Sequence, residues 1–177
     1  VLTEKGYSAV GVDEILQRTG ISRCSFYYYF KTKEGFGAEL IDRYRHFITQ
    51  KLERCLSDTS LSPLGSLRAF VGEVRDEMAR TDCRSGCLVG KLAQEVNTLP
   101  ENFREQLSAV FAEWQDVFAR GLKRAQETGE ISPELDCAST AAFFWYGWEG
   151  ALQRANLELN IKPVDIFIGN FFSRLTG

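Results

Sequence analysis

One histidine, one methionine and four prolines in 177 residues already exclude several kinds of protein. With His46 alone, no histidine-based metal centre can be assembled. The five cysteines, at 24, 55, 83, 87 and 137, lack the paired spacing of a zinc ribbon. No metal and no cofactor is expected. There is no glycine-rich phosphate loop, no His-Glu metal helix and no Gly-x-Ser-x-Gly elbow. A cysteine-based enzyme pairing Cys87 with His46 would have to join two distant segments with no visible oxyanion architecture, so it is the remotest reading and no catalytic residue is expected. No apolar run approaches the roughly 20 residues of a membrane span, and no signal segment opens the chain, so a cytoplasmic protein without a membrane partner is expected. Low-complexity tracts are missing too, and strand-type alternation is nearly absent.

Charge is modest in total and uneven along the chain. The net charge is −3, but residues 1–57 hold nine Lys/Arg against seven Asp/Glu, and residues 58–177 hold twelve against seventeen. The first third is slightly basic and the remainder acidic, the sign expected if a nucleic-acid partner meets the N-terminal part.

Residues 12 to 33 carry the strongest pattern. Val12, Ile15 and Leu16 form one apolar stripe, and Thr19-Gly20 ends that helix, because glycine adopts the left-handed conformation a helix C-terminus needs. Ile21 is expected to pack inward and Ser22 to cap the next helix. That second helix presents Arg23, Cys24, Ser25, Tyr27, Tyr28 and Tyr29, followed by Lys31 and Lys33, while Phe26 and Phe30 read as core residues. A bracing helix, a tight turn and a short helix rich in donors make a helix-turn-helix. Arg23 and Tyr27 are expected near base edges and Ser25, Tyr29 and Lys33 at phosphates; Ser22, Tyr28 and Lys31 complete the DNA-binding set, with Cys24 a small residue near the groove.

Residues 6–36, GYSAVGVDEILQRTGISRCSFYYYFKTKEGF, resemble the DNA-binding segment of TetR-family transcriptional regulators. The matching pieces are Gly6-Tyr7, Gly20-Ile21-Ser22, Ser25-Phe26-Tyr27-Tyr28-Tyr29-Phe30 and Lys33-Glu34-Gly35-Phe36; Cys24 stands where many members carry Gly or Pro. Against that pattern VLTEKGY is expected to be the tail of a truncated first helix. The resemblance implies an all-α protein: a helix-turn-helix head and linking helix over 1–56, then a multi-helix body for ligand binding and dimerisation over 57–177. It also implies a homodimer on a palindromic DNA operator, answering to a small-molecule or electrophile inducer and acting as a repressor. The alternative class is a helical interaction protein that does not bind DNA.

Helical periodicity runs through the body. A linking helix is expected over Lys33 to about Leu56, a second carrying Leu64 to Met78, a short one over Cys87 to about Val96, and a long one from Pro100 to about Thr128. Two more start at Pro133 and Pro163. Phe143 to Trp148 is apolar or aromatic almost all round, with Gly147 and Gly150 permitting close backbone approach. A second subunit is its expected cover, through Phe143, Tyr146, Gly147, Gly150, Phe167, Phe171 and Phe172, as in the four-helix interface of the resembled family. Bulky side chains on long helices can leave apolar space, so Met78, Phe103, Trp114, Phe118, Phe144, Trp145 and Trp148 are candidate pocket residues, with Glu95, Glu149 and Arg154 the polar groups near them.

Cys83-Arg84-Ser85-Gly86-Cys87 through Lys91 is the remaining constellation. Cys87 in the first turn of a helix would have its thiolate favoured by the helix dipole and by Lys91 and Arg84, with Cys83 as a resolving thiol. GCLVGKLAQEV also resembles a TetR branch that includes electrophile-responsive, N-ethylmaleimide-type repressors. The competing reading is a small packing residue that starts a helix.

Overall fold

The structure, a computed structural model, describes residues 2–176. Every regular element among the described residues is helical: α1 (Leu2–Lys5), α2 (Val12–Thr19), α3 (Arg23–Phe30), α4 (Lys33–Leu56), α5 (Pro63–Arg80), α6 (Leu88–Gln94), a 3-10 turn (Val96–Thr98), α7 (Glu101–Glu127), α8 (Cys137–Glu158) and α9 (Lys162–Leu175). The chain divides into two compact units. One comprises the residues up to His46 together with Cys87–Val110, the other Phe47–Gly86 with Phe111 onward. This differs from the expected boundary at residue 56. The helices α4 and α7 each give their first part to one unit and the rest to the other, so neither unit is a single stretch of sequence.

In the first unit, Val10, Ile15 and Phe26 form the core, with Leu2, Val12, Leu16, Phe30 and Phe36 packed against it. Phe26 meets Phe30 at 5.1 Å and Phe36 at 5.3 Å between ring centroids. Burying a ring of this size contributes about 1.5–3 kcal/mol, enough to fix how α3 lies on its brace. A second contact lies beside it, where Tyr7 packs edge-on against Phe103 of α7 at 5.5 Å. Gly37 in α4 is what lets them meet, since a Cβ there would come within 2.6 Å of Phe103 and 2.7 Å of Tyr7.

The second unit is built on α5, α8, α9 and the remaining parts of α4 and α7. The end of α4 is held by side chains. Lys51 pairs with Glu77, Arg54 Nη2 donates to Glu73 at 2.6 Å, Thr49 Oγ1 donates to Glu113 at 2.6 Å, and Arg124 Nη1 donates to the Leu56 carbonyl at 2.6 Å. Aromatic rings fill the middle. Phe118 stacks on Phe144 at 4.1 Å, Trp114 on Trp145 at 5.1 Å, and Phe144 on Trp148 at 5.7 Å.

The start of α8 corrects an expectation. Pro133 does not begin the helix; α8 starts at Cys137. Gln126 Nε2 donates to the carbonyls of Ser132, Pro133 and Leu135 and holds these residues as a turn. The Asp136 carboxylate then caps the helix by accepting from the Ala138 and Ser139 N–H groups, each at 3.0 Å. Those bonds, Ser139's foremost, hold its carboxyl below the usual carboxylate range.

Candidate nucleic-acid interface

Ser22 caps α3, its Oγ accepting from the Ser25 N–H at 3.1 Å. Gly20 closes α2 at φ 69°, and its N–H reaches the Leu16 carbonyl. The turn therefore has the geometry its sequence specifies, and Phe26 anchors α3 from below. What remains outward is a polar and aromatic face: Ser22, Arg23, Cys24 and Ser25 are exposed, and Tyr27, Tyr28 and Tyr29 are 39%, 71% and 74% exposed. Five hydroxyls, a guanidinium and a helix N-terminus are thus exposed around the part of this eight-residue helix that Phe26 does not anchor, a donor set suited to phosphate oxygens and base edges. Arg23 is ion-paired with Asp13, but both side chains are exposed, so the pair is weak and exchangeable.

The two lysines behave differently from one another. Lys31, exposed and at φ 62°, donates to the Tyr28 carbonyl at 2.7 Å. Lys33 is partly buried, contrary to its expected place at a phosphate. Its ammonium donates to the Tyr7 carbonyl at 2.8 Å and lies 4.4 Å from the centre of the Tyr7 ring, while Tyr7 Oη donates back to the Lys33 carbonyl at 2.8 Å. The exchange locks the start of α4 to residue 7. Burial, then the Glu34 charge, pushes the Tyr7 phenol up to about 12. Ile21, expected inside, is 45% exposed on the turn.

Glu95 was expected among the pocket's polar groups and instead clasps the backbone at residues 7 and 8 of the first unit. Its two carboxylate oxygens accept from the Tyr7 N–H at 3.0 Å and the Ser8 N–H at 2.8 Å. Gly6 beside it sits at φ 83°, and a Cβ there would lie 2.2 Å from Glu95 Oε1. No local sequence pattern marks this clasp, because its halves are almost ninety positions apart.

The expected pocket set separates. Met78, Trp114, Phe118, Phe144, Trp145 and Trp148 are buried in the second unit, whereas Phe103 belongs to the first, under Tyr7. Arg154 is exposed and paired with Glu158, and Glu149 is half-buried with one carboxylate oxygen out of solvent contact. A surface cavity of about 500 Å³, bordered by Glu53, Leu56, Arg120, Lys123 and Arg124, and another of about 640 Å³, bordered by Glu34, Glu101 and Glu105, involve none of these aromatic side chains.

The expected dimer set separates as well. Phe143 and Tyr146 stand outward, 58% and 70% exposed, and Gly150 faces open space. Phe171 and Phe172 are buried in their own chain, and Gly147 is filled by Phe167, which a Cβ there would meet at 2.3 Å. Leu157 on α8 and Ile166 on α9 are exposed instead. Leu157 continues the spacing 143, 146, 150, 157, which the sequence itself displays.

Cys87 is the cap of α6 rather than part of its first turn. It is partly buried, and its Sγ accepts from the Gly90 N–H at 3.3 Å. Cys83 does not suit a resolving thiol. It is buried at φ 58°, and burial, with Asp82 adding to it, pushes its thiol up. Asn156 Nδ2 holds that loop by donating to the Cys83 and Arg84 carbonyls at 2.8 and 3.0 Å.

A capped helix on a bracing helix, in a chain whose other unit is all-helical, is the arrangement of a DNA-binding transcriptional regulator. Residues 1–40 match the family described as bacterial regulatory proteins, tetR family, and residues 63–171 match that described as Tetracyclin repressor-like, C-terminal domain. The chain belongs to the TetR family. It is similar to the transcriptional regulator AcuR of Cereibacter sphaeroides, 45% identical over 96% of this chain and 78% of that protein. It is also similar to the HTH-type transcriptional repressor DhaR of Mycobacterium sp. strain GP1, at 29% over 99% and 86%, and to the repressor NemR of Escherichia coli K12, at 26% over 92% and 81%. Among solved structures, the regulatory protein TetR from Rhodobacter sphaeroides superposes with a TM-score of 0.93 at 45% identity, covering 96% of this chain and 90% of that one. Reduced E. coli NemR shares the fold, with a TM-score of 0.87 at 22% identity over 96% and 88%. No helix among the described residues is long and apolar enough to cross a membrane.

Proposed function

We propose that the protein is a homodimeric repressor that binds a palindromic operator and releases it when the body takes up an inducer. The observation that carries this reading is α3: three tyrosines and Arg23 face outward from a helix whose other side is locked by Phe26. Exposing that much aromatic surface serves a partner rather than the isolated chain. Arg23 and Tyr27 read base edges, and Ser22, Ser25, Tyr28, Tyr29 and Lys31 hold the backbone, with Cys24 beside them. Two copies pair through the outward stripe of Phe143, Tyr146, Gly150, Leu157 and Ile166 and hold their reading helices about 34 Å apart, one DNA turn. Moving such a switch from mostly competent to mostly incompetent takes about 5.5 kcal/mol of differential inducer affinity. A gel shift against the chain's own upstream DNA, repeated over salt, tests the reading. Affinity is expected to fall steeply with salt; salt-independent or absent binding leaves the helical interaction protein in its place.

A second reading concerns the signal. Cys87 is only partly buried and its Sγ faces the Gly90 N–H at the start of α6, so Cys87 is a candidate for covalent modification by electrophiles. Treating the parent and Cys87→Ser with N-ethylmaleimide separates the cases. Equal release of DNA by both ends this reading and leaves the dimeric repressor intact.

A further inference from the structure

The indole N–H of Trp145 is out of solvent contact and has no hydrogen-bond partner among the described residues. Its side chain is 2% exposed. A buried donor left unmade costs about 1–3 kcal/mol, and such groups are rare enough to need a cause. The surroundings narrow that cause. Trp114 of α7 stacks on the Trp145 ring at 5.1 Å and 28°, while Phe144 and Phe118 meet it edge-on at 5.5 and 6.5 Å, and Phe70 of α5 lies at 6.5 Å. Stacking occupies a face of the indole. The N–H lies in the ring plane, at the edge, and an aromatic neighbour is a poor substitute for an oxygen there.

Building on the inducer-binding body, we propose that the Trp145 N–H is the donor of an interior site for a neutral, planar carbonyl compound with a small aromatic or conjugated body. The partner must accept a hydrogen bond, which excludes a bare hydrocarbon or an ammonium as the matching group. It must also be uncharged. Lys51 and Ser66 are the buried polar side chains of this unit among the described residues, and the Lys51 ammonium is already placed on Glu77 and over the Phe47 ring. A carboxylate or phosphate brought inside would have to leave water without a free buried cation to meet it. A carbonyl oxygen has in-plane lone pairs for the N–H, and a flat conjugated body is the shape that an aromatic lining of this kind packs against.

Two probes of almost the same shape test this on the full chain: acetophenone, which carries a carbonyl, and α-methylstyrene, which replaces it by a methylene. The protein has three tryptophans, so ¹⁵N-indole labelling gives three N–H resonances, with that of Trp145 assigned by its loss in Trp145→Phe. If that variant does not fold, Trp114→Phe and Trp148→Phe assign it by elimination. Acetophenone is expected to move the Trp145 N–H resonance downfield and to bind about tenfold more tightly than α-methylstyrene, the worth of one neutral hydrogen bond. Trp145→Phe is expected to abolish that preference. If both probes shift the indoles equally and the Trp145 N–H stays in place, the body has an interior site but Trp145 is not its donor, and the proposal falls alone. If neither probe moves any indole, the interior site falls with it, and a lodged water is what satisfies the N–H.

Discussion

The protein uses two aromatic runs, and they are employed in opposite ways. Phe26 to Phe30 on α3 buries its first ring and turns the three tyrosines out; Phe143 to Trp148 on α8 buries Phe144, Trp145 and Trp148 and turns out Phe143 and Tyr146. Similar composition therefore does not mean similar duty. On α3 every outward ring carries a hydroxyl and stands beside Arg23 and Ser25, which suits a charged, hydrogen-bonding partner. On α8 the outward rings sit near an exposed glycine and continue into Leu157, which suits another protein surface. The difference lies in what stands next to each ring.

The sharpest way to break the contrast is at the buried end of each run. Phe26→Ala and Phe144→Ala are each expected to cost about 3–5 kcal/mol, but in different units. All three tryptophans lie in the second unit. Urea unfolding followed by their fluorescence should shift strongly for Phe144→Ala and hardly for Phe26→Ala, while the gel shift is lost in Phe26→Ala. Equal fluorescence shifts would merge the two units into one cooperative block.

Next in size is a charge placed on each outward face. Tyr146→Glu would leave an uncompensated charge in a protein interface, worth about 3 kcal/mol and hence about a hundredfold in dimer affinity, read by sedimentation. Tyr28→Glu should leave sedimentation unchanged and abolish operator binding. If the two variants exchanged effects, the assignment of faces would be reversed. Smaller again, Tyr29→Phe removes one hydroxyl and is expected to weaken operator binding several-fold, about 1 kcal/mol, with the salt slope preserved. Arg23→Gln, which removes one guanidinium from each of two subunits, should instead reduce that slope by about 1.8 if each Arg23 neutralises a phosphate.

Much of this contrast was legible in the chain itself. Gly20, Ser22 and Phe26 act within a few residues of one another, so cap, turn and anchor could be read in order. The start of α8 was misplaced because Pro133 offers a helix start that Gln126, reaching from α7, converts into a turn. Phe103, Glu95 and Lys33 were misassigned for the same reason. Each is committed to Tyr7 or its neighbours, and a stripe of side chains does not say which distant surface it covers. Phe171 and Phe172 were read as interface because apolar content gives no sign of which way a ring faces.

A last expected effect sits at Tyr7. An ordinary phenol ionises near 10, and folded Tyr7 holds its proton up to about 12. The protonated phenol's contribution is complete below about pH 10 and is lost as pH rises from there towards 12. Tyr7→Phe, which keeps the ring on Phe103 and removes the bond to the Lys33 carbonyl, should flatten that alkaline decline in a pH series of thermal melts. An unchanged decline would place its source elsewhere.

Residues Cys87–Val110 belong to the DNA-reading unit, and this makes the reader a poor candidate for transplantation. A fragment cut after Leu56 keeps the whole outward face of α3, yet it forfeits the carboxylate that quiets two backbone amides and the ring that seats Tyr7. Chimaeras that swap readers between relatives should therefore carry the far segment along, or they will join two halves that were never separate parts.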